Sequence, residues 1–141
     1  METQPTAHVT NVEENINLVK LIYDCFFKGD IEGLLAHYSD DVDWEVYGPA
    51  AIPTSGPHHG KAAVQQFFTK VSELFDFSKF DVQQYVAQGD TVVTMGEYGG
   101  TIKTNGKEFH MHFAHVVTIK DGKANKFREF TDTAAVLEAL S

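Results

Sequence analysis

The stretch from Gly106 to Asp132, GKEFHMHFAHVVTIKDGKANKFREFTD, constrains the fold of this chain more than any other. It predicts two long strands joined at Asp121-Gly122, since an Asp-Gly pair between alternating apolar residues is typical of a hairpin. Apolar residues occupy every second position of the first strand, and His115 is the one polar side chain among them. Such a sheet face fits a ligand cavity, and it equally fits a histidine satisfied within a core.

Length and charge limit the function classes. The 141 residues fit one domain, which we assign to residues 11–141, with residues 1–10 as a flexible tail. The net charge of −9 argues against nucleic acid and anionic membranes as partners, because both require a basic surface. Eleven phenylalanines are many for this length, and they fit an apolar core or an apolar pocket.

Sequence signals for a metal, a disulfide or a membrane segment are missing. The single cysteine, Cys25, can form neither an internal disulfide nor a cysteine-based zinc site, and no cofactor motif is present. No apolar run reaches the ~18 residues of a membrane span. The N-terminal residues lack the charge and the apolar segment of a secretory signal. We therefore expect a cytoplasmic protein without a cofactor.

The periodicity of apolar residues predicts an α+β domain. Helical spacing begins at Asn11 and continues to Gly29, and Asp30 caps a short second helix. Spacing of two then predicts a strand around Trp44. The remaining predicted elements are a loop over residues 48–60, a helix from Lys61 to Phe75, strands over residues 80–88 and 91–103, and a closing helix from Thr133 to Leu140.

Three glycines lie within one predicted strand, at positions 96, 99 and 100. Glycine in a strand interior indicates a bulge or a sharp bend, so we expect the sheet to be curved. The order of elements predicts helices on one face of an antiparallel meander.

Several short motifs then resemble the nuclear transport factor 2-like superfamily, specifically its SnoaL-like polyketide cyclase and ketosteroid isomerase relatives. Their order covers nearly the whole chain, from Asn11 to Leu140. The motifs are Gly29-Asp30 with Leu34-Leu35, Tyr38, Asp40-Asp41-Val42 and Trp44; Gly60-Lys61 with Val64, Phe67 and Phe68; Gln88-Gly89-Asp90 before Val92-Val93; Asp121-Gly122-Lys123; and Arg128 to Thr133.

The resemblance implies a cone-shaped, curved antiparallel sheet, also described as cystatin-like, with the three helices of the N-terminal half on its concave face. Members of this superfamily enclose a deep apolar pocket and often pair through the outer face of the sheet, so we expect a homodimer. Enzymes and binding modules both use the fold, so the fold alone does not assign an activity.

Three residues are the catalytic candidates. In SnoaL-like cyclases the acid/base is an aspartate at the end of the last strand, and Asp132 matches that position. Asp132 also precedes Thr133 as a good N-cap for the closing helix, so both roles stay open. Arg128, four residues earlier, would hold Asp132 ionised if both share a strand face, and a solvated arginine fits equally. The proton donor of ketosteroid isomerases falls at His115.

Ligand-binding candidates are Trp44, Tyr98, Phe113 and Phe130, all aromatic residues of predicted strands, for which core packing is the alternative. The first strand lacks the isomerase base, since Val46 stands at its place and Glu45 one position away points to the other face. The Arg-x-Asp pattern of limonene-epoxide-hydrolase-like members is also missing, which removes that activity from consideration.

Four further histidines have alternative interpretations. His110 and His112 project to the same side, as metal ligands do, but no carboxylate or cysteine supports them nearby, so an outer surface position is expected. His58 and His59 lie in the proline-rich loop, where they either gate the cavity mouth or are solvated.

The sequence thus predicts a cavity protein that binds a small, apolar, carbonyl-bearing molecule. The expected chemistry is proton abstraction next to the carbonyl, with Asp132 as base and His115 or Tyr98 stabilising the enolate oxygen. The alternative is a non-catalytic ligand-binding or dimerisation module on the same fold.

Overall fold

The computed structural model describes the backbone of residues 3–141 and the side chains of residues 11–141. Four helices and a curved, unclosed sheet of six strands form a mixed α+β fold. The elements are α1 Thr3–Phe27, α2 Ile31–Ala36, β1 Tyr38–Val46, β2 Gly56–His59, α3 Lys61–Leu74, β3 Phe75–Gln88, β4 Thr91–Ile102, β5 Glu108–Lys120, β6 Lys123–Thr131 and α4 Thr133–Leu140.

The predicted central hairpin is confirmed as β5 and β6. Asp121 and Gly122 have φ angles of 54° and 78°, so both adopt the positive φ that a tight two-residue turn requires. Burial alternates along β5, with every second side chain covered. This strict alternation fixes the register, because a slip by one residue would expose the whole apolar stripe.

The order of strands in the sheet is β2-β1-β6-β5-β4-β3. Neighbouring strands run antiparallel except β1 and β6, which run parallel. This one parallel pair is the exception in the curved sheet that was predicted as antiparallel. A tight hairpin forces an antiparallel pair, but β1 and β6 are connected through all the other strands, so a parallel arrangement is open to them.

The glycines of β4 make the bend that the sequence predicted. Opposite them, the register of β3 shifts between Phe77 and Lys79 and again between Val82 and Gln84. A Cβ atom on Gly96 would lie 1.9 Å from the carbonyl oxygen of Asp81. Only glycine therefore allows this close approach of the two strands.

The helices α1, α2 and α3 cover the inner face of the sheet. Their apolar side chains, among them Val19, Leu34 and Val64, join one core cluster with Trp44 and Phe127 of the strands. The short helix α4 covers the other end of that face, where Val136 packs in a second cluster with β5. A cone with one concave, helix-covered wall results, as predicted.

Some boundaries differ from the predicted ones. Helix α1 begins at Thr3, before the predicted start at Asn11, because Pro5 lies in the first turn, where its missing N–H has no intrahelical partner. Met1 and Glu2, part of the predicted tail, lie outside the described residues. The predicted loop at residues 48–60 contains β2, which pairs with β1. Among the described residues, no helix is both long and apolar enough to cross a membrane.

Candidate functional site

A cavity of about 100 Å³ lies between the inner face of the sheet and the helices. Its wall is predominantly apolar, and every strand except β2, every helix and the loop before β2 contribute to it. Apolar pockets with a few placed polar groups are the usual form of small-molecule sites. The polar groups in this wall therefore decide what the cavity can do.

The central polar groups lie in one row across the sheet. Glu129 of β6 pairs with His115 of β5, and His115 pairs with Thr94 of β4. Side chains of directly paired residues point to the same face, so the three groups lie next to one another on the inner wall. Thr94 and His115 are 0% and 3% exposed, so water does not solvate these two groups, whereas Glu129 is partly buried.

Two tyrosines complete the cluster. Tyr23 reaches down from α1, and its hydroxyl lies 2.6 Å from Thr94 Oγ1 and 2.7 Å from His115 Nδ1. Tyr98, on β4, lies with its hydroxyl 2.7 Å from His115 Nε2. The imidazole is therefore held from both sides, which fixes its orientation in the cavity wall.

Glu129 is the acid of this cluster. Its Oε2 accepts a hydrogen bond from the Tyr98 hydroxyl at 2.5 Å and lies 2.8 Å from His115 Nε2. Burial by itself raises the pKa of Glu129, but the hydrogen bond and charge of His115 and the hydrogen bond from Tyr98 outweigh it and hold the pKa below its ordinary value. Glu129 is therefore ionised at neutral pH.

The distances identify the donors to Glu129. With Glu129 ionised, the Tyr98 hydroxyl and His115 Nε2–H both donate to Oε2, and the Tyr23 hydroxyl pairs with Nδ1 on the other side of the ring. The Tyr23 hydroxyl also pairs with the Thr94 hydroxyl, and either of the two can donate. Burial raises the pKa of both tyrosines, and the charge of Glu129 adds to this effect, so both phenols stay protonated.

Of the seven residues predicted from the sequence, the structure places three in the cavity wall: His115, Tyr98 and Trp44. Trp44 stacks on Phe127 with 3.8 Å between ring centroids. Phe113 is buried behind the wall, where its ring stacks on Tyr98 and on His115, each at 4.4 Å. Phe113 therefore supports two site residues and does not line the cavity itself.

Asp132, predicted as the base, does not line the cavity. Its carboxylate is exposed and accepts a hydrogen bond from Ala135 N at 3.3 Å, which makes it the N-cap of α4. The structure thus corrects its predicted placement and agrees with the capping role. The physical reason is strand parity, since Phe127, Glu129 and Thr131 line the cavity and Asp132 follows at the next position.

Arg128 and Phe130 lie on the outer face of the sheet, so their predicted placement in the site is also corrected. Arg128 donates from Nη2 to Asp43 Oδ2 at 2.9 Å, on β1, and makes no contact with Asp132. Phe130 is 47% exposed and packs on Tyr47. Strand parity explains both placements, because the residues of β6 that line the cavity are Phe127, Glu129 and Thr131.

Sequence reasoning missed Glu129 and Tyr23. The signal for Glu129 is its spacing of two residues from Phe127, which the structure pairs with Trp44. Phe130 has the opposite strand parity, so the sequence alone does not decide which of these positions faces inward. For Tyr23 no comparable signal exists, because it shares an apolar helix face with ordinary core residues.

The four other histidines considered from the sequence lie outside the cavity wall. His110 and His112 are exposed on the outer face, as predicted, and His110 Nε2 lies 2.6 Å from Glu97 Oε1. His58 is tethered to the carbonyl oxygen of Thr54 at 3.2 Å, and His59 is exposed. Within residues 11–141, no three histidine, cysteine or acidic side chains come together as metal ligands would.

The family model of the SnoaL-like domain matches residues 19–127. No curated protein sequence matches the chain. Among solved structures, a nuclear transport factor 2-like protein from Burkholderia xenovorans is similar, with 31% identity over 92% of this chain and 98% of that one, and a TM-score of 0.85.

Two further structures are similar. A nuclear transport factor 2-like protein of unknown function from Burkholderia pseudomallei has 25% identity over 91% of this chain and 98% of that one, with a TM-score of 0.84. TerC, co-crystallised with polyporic acid, has 28% identity over 90% of this chain and 98% of that one, with a TM-score of 0.79. The resemblance in sequence motifs is thereby confirmed, and the chain belongs to the SnoaL-like family of the nuclear transport factor 2-like fold.

Proposed function

We propose that this protein binds a small, largely apolar molecule with a carbonyl group and removes a proton from the carbon next to it, with Glu129 as the general base. One observation carries the proposal. Both hydrogen bonds that the described residues make to the Glu129 carboxylate fall on Oε2, which leaves Oε1 for a ligand in an apolar cavity. A fixed carboxylate with one oxygen available is what proton abstraction requires.

The size of the cavity limits the ligand. Its volume of about 100 Å³ is of the same order as the ~150 Å³ apolar cavity that holds one benzene molecule. A molecule built on a single ring therefore suits the cavity. The relative that was crystallised with polyporic acid supports an organic ligand for this site.

The ionised state of Glu129 limits the chemistry. A carboxylate whose pKa is held low is a weak base, and proton transfer is efficient when the acid and the base are matched. The substrate should therefore have a comparatively acidic C–H bond, as in a 1,3-dione or a β,γ-unsaturated ketone. Water exclusion from the cavity strengthens the base once the ligand is bound.

The assay is the isomerisation of 3-cyclohexen-1-one to 2-cyclohexen-1-one, followed by the ultraviolet absorbance of the conjugated product. We expect catalysis above the buffer rate, and a loss of about 10²- to 10⁴-fold in Glu129→Gln, the usual contribution of a general base. Glu45→Gln is the matched control, since it makes the same change on the outer face of β1. Equal rates for Glu129→Gln and the unmodified protein would refute the proposal.

The alternative function is a non-catalytic ligand-binding module. It is favoured by the fact that both predicted enolate donors, Tyr98 and His115, already contact Glu129. Saturable binding of 3-cyclohexen-1-one or polyporic acid without isomerisation, and without deuterium exchange next to the carbonyl in D₂O, would support this alternative.

A further inference from the structure

Two polar side chains of β1 lie in a part of the cavity wall that the proposed proton transfer does not use. Tyr38 and Trp44 both line the cavity, and they are 2% and 3% exposed. Their rings are neighbours, with 5.5 Å between centroids. Around them the wall is apolar, formed by residues such as Leu34, Phe67 and Phe127.

The Trp44 donor is unpaired, and the Tyr38 ring lies next to it. Trp44 Nε1 has no hydrogen-bond partner among the described residues. Burial raises the pKa of the Tyr38 hydroxyl, so this hydroxyl stays protonated. Buried donors are almost always paired, because an unpaired one keeps the full cost of its lost hydration. An unpaired indole N–H beside a protonated phenol in a cavity wall points to a ligand atom that pairs with them.

The chemistry of this ligand atom follows from the donors. An indole N–H only donates, and a protonated phenol in apolar surroundings donates as well, so the partner is an oxygen with free lone pairs. Glu129 is the opposite kind of group, since its carboxylate only accepts. The cavity therefore offers donors at one place and an acceptor at another.

The sheet register sets the span between these two places. Trp44 pairs with Phe127, and Glu129 is the next inward residue of β6. Diagonal neighbours of this kind lie about 8 Å apart between Cα atoms, from the spacing of strands and residues in a sheet. One small ring with a hydrogen bond at each side fits such a span.

We propose that Tyr38 and Trp44 form a second polar subsite, which binds the carbonyl oxygen of the ligand while Glu129 faces the acidic hydrogen. The inference rests on the proposed function, and it adds which groups receive the oxygen. In the proton transfer the C–H bond breaks, the proton goes to Oε1 of Glu129, and the electron pair moves onto the oxygen held by Tyr38 and Trp44. Tyr98 and His115 keep Glu129 in position throughout.

The subsite can be tested directly, because Trp44 is the only tryptophan of the chain. A ¹H–¹⁵N spectrum of the full-length protein has a single indole signal, which needs no further assignment. Cyclohexanone and methylenecyclohexane serve as probes, since they differ in the oxygen and share their shape. We expect cyclohexanone to shift the indole proton downfield, as a new hydrogen bond does, and methylenecyclohexane to leave it near its position.

Tyr38→Phe removes the second donor and keeps the ring. We expect its affinity for cyclohexanone to fall about 3- to 10-fold, the effect of one neutral hydrogen bond, with the affinity for methylenecyclohexane within twofold. Tyr85→Phe, a half-buried tyrosine outside the cavity wall, is the matched control and should change neither. Unfolding of Tyr38→Phe by urea should require at least as much denaturant as the unmodified protein, because no protein hydrogen bond is lost.

The outcomes separate this inference from the proposed function. If cyclohexanone shifts the indole signal and its affinity depends on Tyr38, but no isomerisation occurs, the subsite is supported and Glu129 is not a base. If isomerisation depends on Glu129, but Tyr38→Phe lowers the affinity for both probes equally or for neither probe, the subsite is refuted. The proposed function is then still supported. An indole signal that does not respond to cyclohexanone also refutes the subsite.

Discussion

Replacement of Tyr98 by Phe tests how the polar cluster is held together. The substitution deletes one hydroxyl and keeps a ring that stacks on Phe113 at 4.4 Å between centroids. The lost bond is the 2.5 Å hydrogen bond to the ionised carboxylate of Glu129. A hydrogen bond to a charged group contributes about 1.5–3 kcal/mol, so the free energy of unfolding at pH 7 should fall by about that amount.

The direction of the pKa shift of Glu129 determines how the stability difference changes with pH. Burial raises the pKa of Glu129, and the bonds from His115 and Tyr98 lower it further than that, so the folded value lies below the unfolded one. Such a group stabilises the fold above its unfolded pKa, and this stability is lost as the pH falls through the folded pKa. Tyr98→Phe should therefore lower the free energy of unfolding by the whole amount at pH 7. The difference in unfolding free energy from the unmodified protein should become smaller below the ordinary glutamate pKa of about 4.3.

Urea unfolding at pH 7 and at pH 3.5 measures both quantities, with Tyr85→Phe as the control for the loss of a phenol hydroxyl. Tyr85 is half-buried and does not contact Glu129, so its substitution should give a small, pH-independent change. Two results would refute the reasoning. One is a loss of unfolding free energy in Tyr98→Phe below about 0.5 kcal/mol at pH 7, since even a neutral hydrogen bond contributes more. The other is an equal loss at both pH values.

Three further predictions concern the surroundings of the site. Asp132→Ala should lower the free energy of unfolding by about 1 kcal/mol through loss of the helix cap, and Asp132→Ser, which keeps a capping side chain, should recover that stability. Both variants should retain isomerisation. Loss of activity in both would identify Asp132 as the base. Gly96→Ala should destabilise the fold by about 1–3 kcal/mol or more in urea, because its Cβ would collide with the Asp81 carbonyl oxygen, and a neutral effect would contradict the close strand approach. We also propose that two copies pair through the outer sheet face, where Phe130 and Tyr47 are exposed and in contact; light scattering should then give a dimer that Phe130→Glu converts to a monomer.

The fold was largely predictable from the sequence, because it depends on signals that are local. The Asp121-Gly122 turn, the glycines of β4 and the Asp30 cap each require a particular backbone conformation, and each lies where the sequence predicted it. The parallel pairing of β1 with β6 was not predictable in this way. It depends on two segments that meet only in the finished sheet, and neither segment carries a sign of its partner.

The candidate site was predictable only in part. His115 stood out, since it is the one polar residue in an apolar stripe, and the structure places it at the centre of the polar cluster. The sequence favours Asp132, because it matches a family position at the end of the last strand, and Glu129 has no such match. An alignment of sequence positions does not show to which face of a strand a side chain points. That face decides which carboxylate lines the cavity.

The parallel pair of β1 and β6 also has a consequence for the order of folding. The bond from Arg128 to Asp43, on these two strands, joins residues that are 85 positions apart, while β3 to β6 pair as successive neighbours along the chain. Loop closure over such a distance is entropically costly, so the meander should form first and the β1–β6 contact late. Since Tyr38 and Trp44 lie on β1 and Glu129 on β6, we expect a nascent chain whose β6 is still unpaired to have part of the sheet but no binding site, and ligand binding then reports that β6 has joined β1.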